Sequence, residues 1–119
     1  MKENIAEKKC DDFSTRIIHL SQMLEKKQVP KVLITQIIKS GTSIGANLAE
    51  GICAISPNDF RNKIYISLKE CSETKDWLRL FYKVNYIDQA LYESLDNDAT
   101  EIFKILTATT KTLSNRISN

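Results

Sequence analysis

Apolar residues recur with the spacing of an α-helix in four segments of the chain, and polar residues fill the positions between them. This pattern predicts four amphipathic helices, over about residues 4–27, 30–50, 57–84 and 89–117. Because the connections are short, consecutive helices are expected to be antiparallel. We therefore predict an all-α fold, an antiparallel up-down-up-down four-helix bundle that residues 1–119 form as a single domain. The predicted core residues are Phe13, Ile17, Leu20, Leu24, Leu33, Ile37, Gly41, Ile44, Leu48, Phe60, Ile64, Leu68, Cys71, Leu78, Tyr82, Leu91, Leu95, Ile102, Leu106, Leu113 and Ile117.

Proline, glycine and short polar residues separate the predicted helices. Pro30 suits the first turn of the second helix, and Gly51 is expected to end that helix in the left-handed conformation. Ser56 followed by Pro57 predicts the N-cap and first turn of the third helix, and Asp88 is expected to cap the fourth.

The second and third helices each carry a second apolar stripe, beyond the one that a lone bundle needs. On the second helix this stripe lies roughly 90° from the core face and includes small residues, which let another backbone approach closely. On the third helix it includes the only tryptophan, a residue type enriched at interfaces. We predict a homo-oligomer interface between Ile34, Ile38, Gly45 and Ala49 on one side and Ile66, Trp77 and Leu80 on the other. The alternative is that the second helix is simply the most buried helix of a monomer.

Charge and composition narrow the classes of function. The formal net charge of +2 is far from the strong basic excess of a dedicated nucleic-acid-binding protein. The N-terminus lacks the apolar region of a signal peptide, and no stretch approaches the roughly 18 apolar residues of a membrane span. We therefore expect a cytoplasmic protein without membrane contact. The three cysteines show no CxxC spacing and are expected to be reduced thiols.

The residue types needed for catalysis or metal binding do not form a recognisable set. His19 is the only histidine, so every Ser-His-Asp or Cys-His arrangement would have to use it. Glu70 and Glu73 are of the type found in di-iron bundles, but the Glu-x-x-His pairs of those sites are missing. We therefore predict that the protein is not an enzyme and has no catalytic residues, metal or cofactor.

Ser43, Asn47 and Glu50 follow one another at helical spacing beside the core face of the second helix. Polar groups that become buried need hydrogen-bond partners, and the natural candidates are Lys63, Asn58 and the Ser56-Pro57 turn. We predict that the three residues are structural and form a polar bracket between the second and third helices. A ligand or RNA site at the same place is the alternative.

Basic and acidic residues alternate on the third helix, which favours a solvated face of mixed charge. If several subunits form a ring, however, a modest local excess of positive charge repeats and can bind a phosphate backbone. Such binding is expected to be weak, salt-dependent and tolerant of sequence, because the exposed face offers only Tyr65 for stacking. The candidate nucleic-acid contacts are Lys39, Lys63, Lys69, Lys75 and Arg79.

Three blocks of sequence carry a family resemblance: SIGANLAEG at residues 43–51, SPNDF at residues 56–60 and LKECSETKDWL at residues 68–78. They resemble the blocks S-I-x-A-N-I-A-E-G, S-x-x-D-F and K-E-A-x-E-T-x-x-W-L of a bacterial family. Its members, the S23 family, are four-helix-bundle proteins linked to intervening sequences in 23S ribosomal RNA genes. The similarity extends from about Gln36 to the C-terminus. Ile38 and Lys39 depart from it, because many family members have two arginines there.

The resemblance implies an up-down bundle that assembles into a homopentamer. It implies an association with ribosomal RNA mainly because of where such genes lie. A related group, the accessory proteins of diversity-generating retroelements, binds nucleic acid and a reverse transcriptase through a basic pentamer. Two classes of function stay open. One is an oligomer that contacts RNA or DNA backbones, and the other is a structural or protein-partner module with no nucleic-acid role.

Overall fold

The chain folds into four consecutive helices. A computed structural model describes the backbone of residues 4–118 and the side chains of residues 4–115. The helices are α1 (Ile5–Lys26), α2 (Lys31–Ile52), α3 (Pro57–Lys83) and α4 (Gln89–Ser118), and the described residues contain no strand. The predicted all-α fold is thereby confirmed, with helix ends within about two residues of those expected from the sequence.

The helices are arranged as a closed, antiparallel bundle. Each helix packs against its neighbours in the chain, and α1 also contacts α4. The Ser67 hydroxyl of α3 donates to the Ile44 carbonyl of α2 at 2.8 Å, and the rings of Tyr82 and Tyr92 stack between α3 and α4 at 4.9 Å. These contacts join residues in the later half of one helix to residues in the earlier half of the next, as antiparallel neighbours require.

The core consists largely of the predicted apolar stripes, but a few residues at the edges of the stripes differ from the prediction in their burial. Most of the predicted core positions are buried, among them every one predicted on α1. The exceptions with described side chains are half-buried: Leu33, Phe60, Leu68, Tyr82 and Leu91. Ile34 and Phe81 are buried although the core pattern did not include them. The side chain of Ile117 lies outside the described residues.

Capping residues fix where the helices begin. Ser56 accepts a hydrogen bond from the Asp59 amide at 3.1 Å, and Asp88 accepts one from the Leu91 amide at 2.8 Å, as predicted. Pro30 is the N-cap of α2 rather than its first helical residue.

Gly51 does not end α2 in the left-handed conformation, because no glycine of the described chain has a positive φ. The helix continues through it to Ile52. A Cβ at position 51 would lie 2.9 Å from Cδ1 of Phe60 and 3.1 Å from Cβ of Lys63. Glycine is therefore needed at this position for the close approach of α2 and α3 and not for a turn.

The left-handed residues instead follow α1 and α3. Gln28 has φ 63° and Asn85 has φ 65°. The next amides close the helix ends, with Val29 donating to the Leu24 carbonyl at 3.1 Å. This is the hydrogen-bond pattern of a Schellman cap, and the buried Val29 side chain supplies its usual apolar contact.

Candidate nucleic-acid interface

The basic residues proposed as nucleic-acid contacts have different environments in the fold. Three of the five form ion pairs inside the subunit: Lys63 with Glu50 at 2.8 Å, Lys75 with Asp96 at 3.2 Å, and Arg79 with Asp76 at 3.7 Å. Lys75 also donates to the Thr100 hydroxyl. The first pair ties α2 to α3, the second ties α3 to α4, and the third lies within α3. All three cations are partly neutralised before any ligand binds.

Lys39 and Lys69 are exposed and form no ion pair with the described residues. Both lie within Coulombic range of Glu70 on α3. The pKa of Glu70 is raised, first by burial and then by the neighbouring Glu73 carboxylate, while the two lysines act in the opposite direction. This part of the α2–α3 face therefore has mixed charge, as the sequence favoured.

The polar residues of α2 do not all link it to α3. Glu50 pairs with Lys63, which is the predicted partner. Asn47 donates through Nδ2 to the Ser43 carbonyl at 2.8 Å, and the Ser43 hydroxyl donates to the Lys39 carbonyl. Both bonds stay inside α2, so only Glu50 contributes to the bracket between the helices.

Buried hydroxyl groups that the sequence analysis did not single out complete that bracket. Ser67 donates to the Ile44 carbonyl, and Thr74 Oγ1 lies 3.0 Å from Ser40 Oγ. Ser40, Ser67 and Thr74 are at most 1% exposed. The sequence does contain a signal for these residues, because they share the helical spacing of the core residues. A hydroxyl group on a core-facing stripe is buried and must therefore find a hydrogen-bond partner inside the bundle.

The second stripe of α2 faces α1 of the same subunit. Ile34 is buried, and a Cβ at Gly45 would lie 3.1 Å from Cβ of Cys10. Ile38 is half-buried against the core, and Ala49 is exposed. The small residue at position 45 therefore serves close packing within the bundle. A contact between subunits is not required to explain it.

The second stripe of α3 remains partly uncovered. Ile66 is 40% exposed, Leu80 41% and Val84 54%, and they lie on one side of the helix with the half-buried Trp77. Trp77 packs against Phe81 with ring centroids 6.0 Å apart. Val84, the C-cap residue of α3, continues this row. It is not part of the predicted stripe, although the predicted third helix extends to it.

Charge is divided along α4. Its acidic residues all lie in the first half, and three of them form ion pairs: Asp96 with Lys75, Asp98 with Arg16, and Glu101 with Lys9. Residues 102–119 contain no aspartate or glutamate, whereas Lys104 and Lys111 are basic and exposed. Lys104 and Lys111 are not among the candidate nucleic-acid contacts predicted from the sequence. The charge of the surface around Lys104 and Lys111 therefore also depends on which residues of α3 lie beside this half of α4.

Groups with reactive side chains are scattered. His19 is exposed and lines an open cleft of about 230 Å³ between α1 and α4. Burial raises the pKa of the Cys10 thiol to about 12 and that of Cys71 to about 11. Within the described part of the chain, no three His, Cys, Asp or Glu residues are grouped to hold a metal. None of the described helices is both long and apolar enough to span a membrane.

A sequence model of the 23S rRNA-intervening sequence protein family matches residues 2–108. The chain belongs to this family. The match covers α1 to α3 and most of α4, so it includes the ion pairs and hydroxyl contacts described above. It agrees with the three blocks recognised in the sequence.

A solved structure of the S23 ribosomal protein family supports the family assignment. It is a crystal structure, at 1.70 Å resolution, of a protein of unknown function from Bacteroides thetaiotaomicron VPI-5482. The two chains are 44% identical and superpose with a TM-score of 0.88, over 90% of this chain and 99% of the other. No curated protein matches this member of the 23S rRNA-intervening sequence protein family.

Proposed function

We propose that this protein is a cytoplasmic, non-catalytic bundle that assembles into a homo-oligomer and associates with nucleic acid through backbone contacts. The observation that carries the proposal is the apolar row of α3, which a single subunit leaves partly uncovered at Ile66, Leu80 and Val84. Covering apolar surface stabilises an assembly by about 25 cal/mol per Å². A half-buried tryptophan, Trp77, lies beside this row, and tryptophan is typical of the centres of interfaces.

The homopentamer implied by the resemblance is the assembly that we propose. In a closed ring each contact joins two different surfaces of neighbouring subunits. The α3 row would pack against the α1–α2 side of the next subunit, where Ile38 and Ala49 keep accessible surface. This arrangement retains the predicted interface except for Ile34 and Gly45, which are engaged within the subunit.

Association with nucleic acid is supported by the exposed lysines Lys39 and Lys69 and by the description of the family as 23S rRNA-intervening sequence proteins. A ring repeats each exposed cation around its axis, which strengthens a field that one subunit generates only weakly. A likeness in function to the accessory proteins of diversity-generating retroelements is part of this proposal. We expect binding to fall steeply with salt and to depend little on sequence.

Light scattering tests the assembly. Wild-type protein at micromolar concentration should have a mass near five times the 13.6 kDa subunit. Leu80→Lys and Ile66→Lys should lower that mass, because each variant would bury an unpaired charge in the contact. Ile55→Lys is the matched control, since Ile55 lies in a loop and is 96% exposed. A monomeric wild-type protein would contradict the proposed assembly.

A second candidate function is a structural or protein-partner adaptor with no nucleic-acid role. The ion pairs of Lys63, Lys75 and Arg79 favour it, because these cations are already matched by carboxylates. Fluorescence anisotropy with a structured RNA and a random duplex, at low and near-physiological salt, separates the two candidates. Binding to neither ligand at low salt would select the adaptor.

A further inference from the structure

The first half of α3 and the second half of α4 place basic residues beside one another. The two helices are antiparallel in a register fixed by three contacts: Cys71 Sγ lies 3.3 Å from the Ala99 carbonyl, Lys75 pairs with Asp96, and Tyr82 stacks on Tyr92. Phe60 and Leu113 line one cleft, which extends the same register to the end of the bundle. This register places Arg61 of α3 at the same height along the bundle axis as Lys111 of α4, and Lys69 at the same height as Lys104.

Tyr65, Lys69, Lys104 and Lys111 are exposed, and Arg61 is half-buried. Arg61, Tyr65 and Lys69 follow one another at i, i+4 and i+8, and Lys104 and Lys111 are two turns apart. Tyr65 is 48% exposed and lies between the two levels of cations. The five residues form one surface, which we call the α3–α4 basic surface.

The cations of this surface have no carboxylate partner among the described residues. Among the described ion pairs, none includes Arg61, Lys69, Lys104 or Lys111. Arg61 donates from Nη2 to Oδ1 of Asn58 at 3.3 Å, and its Nε is enclosed without an acceptor. Residues 102–119 contribute no acidic residue. Lys69 lies at the edge of this surface, next to the acidic residue Glu70.

We infer that the α3–α4 basic surface binds single-stranded nucleic acid. Cations on two adjacent helices can hold successive phosphates, and an exposed aromatic ring between them offers a face on which a base stacks. The ligand class follows from Tyr65, since an acidic protein would use the lysines but would gain little from an exposed ring among them. The inference rests on the proposed nucleic-acid function and moves its main contact from the α2–α3 face to the α3–α4 face.

The test is a fluorescence anisotropy titration of the full chain with a fluorescein-labelled oligouridylate of roughly 20 nucleotides. The double variant Lys104→Glu/Lys111→Glu should weaken binding at low salt by about tenfold or more. It should also reduce the slope of log affinity against log salt by about 1.4, because two phosphate contacts are lost. Tyr65→Ala should weaken binding by about 5- to 150-fold, whereas Tyr65→Phe should retain it.

The matched control is Lys26→Glu/Lys31→Glu, which changes the net charge equally at the opposite end of the bundle, where α1 ends and α2 begins. It should cause only the smaller loss expected from the change in overall field. All the substituted residues are exposed, and thermal melting followed by circular dichroism confirms that each variant is folded.

Three results would overturn the inference, each in a different way. If the control and the Lys104→Glu/Lys111→Glu variant weaken binding equally, this surface is not the contact, although nucleic-acid binding itself stands. If the wild-type protein does not bind the oligouridylate at low salt, the inference fails, and the proposed nucleic-acid function fails with it only if the structured RNA and the random duplex are not bound either. If polyglutamate competes as well as unlabelled oligouridylate and Tyr65→Ala binds normally, the ligand is an acidic protein.

Discussion

Gly41 of α2 packs directly against Ile17 of α1: a Cβ at position 41 would lie 2.9 Å from both Cγ1 and Cγ2 of that side chain. Gly45, one turn further along α2, approaches Cys10 in the same way. The small residues of α2 therefore set the distance between the first two helices. Ile17 is fully buried, so it has no room to move away.

Gly41→Ala is expected to destabilise the protein by about 1–3 kcal/mol, because the added methyl group overpacks the contact with Ile17. The stability lost by overpacking should exceed the roughly 1 kcal/mol gained because alanine has a higher helix propensity than glycine in a helix interior. Urea unfolding measures the difference. Gly45→Ala is the control and should cost less, since its Cβ would meet a single atom of Cys10 at 3.1 Å. Higher stability of Gly41→Ala would show that α1 and α2 are not held so closely.

Gln28→Gly is expected to stabilise the protein by about 0.5–1 kcal/mol. Gln28 has φ 63°, and the left-handed conformation costs a side-chain-bearing residue about 1–2 kcal/mol. The greater freedom of glycine in the unfolded chain offsets part of that gain. Gln28→Ala keeps the Cβ and should bring no such increase in the midpoint of thermal unfolding. A glycine variant less stable than wild type would rule out strain at this helix end.

Ser67→Ala and Asn47→Ala should differ, although both remove a polar group of the α2–α3 region. Ser67→Ala deletes the buried bond to the Ile44 carbonyl and should cost about 1–2 kcal/mol. Asn47→Ala removes a bond within α2 and introduces a better helix former, so stability should change by less than about 0.5 kcal/mol. Denaturant midpoints of the two variants compare these costs. A large loss for Asn47→Ala, without loss of binding, would assign it a cross-helix role.

Cys53 is expected to be the only thiol that reacts with a thiol reagent in the native protein. Cys53 is exposed, whereas Cys10 and Cys71 are buried with pKa values raised to about 12 and 11. The thiolate is the reactive form, so both buried thiols stay inert until the bundle unfolds. Since their folded pKa values exceed the unfolded value of 9.0, the contribution of these two thiols to stability should be constant below pH about 9 and be lost as the pH rises through 9–12. Counting thiols with and without denaturant checks the first point, and rapid native labelling of all three would contradict it.

Glu73→Gln is expected to stabilise the protein at neutral pH, because it removes the like charge beside Glu70. The pKa of Glu70 is raised by burial and by Glu73, so the folded state resists ionisation of this carboxyl. The raised pKa means that stability falls as the pH rises from the unfolded value of 4.5 through the folded one. The advantage of the variant should therefore vanish at acidic pH, where the carboxyls are protonated. Melting temperatures of both proteins across this range test the sign. If Glu73→Gln remains more stable than wild type at acidic pH, the stabilisation does not come from removing the negative charge of Glu73.

The sequence by itself determined the elements of this fold. Helical periodicity located the four helices, and Ser56 and Asp88 marked two of their starts, because a helix and its caps depend on residues within one or two turns. The same locality explains the error at Gly51. A glycine that ends a helix and a glycine that lets another helix approach look alike until the approaching helix is known.

The tertiary structure decided which faces meet and which cations are left free. Lys75 and Lys104 are both lysines on amphipathic helices, yet among the described residues only Lys75 pairs with a carboxylate, because the register of α3 against α4 places Asp96 next to it. The same register sets Arg61 level with Lys111 and creates a surface that neither helix has alone. Such contacts join residues far apart in sequence. They follow from how the four helices pack and not from the spacing within any one of them.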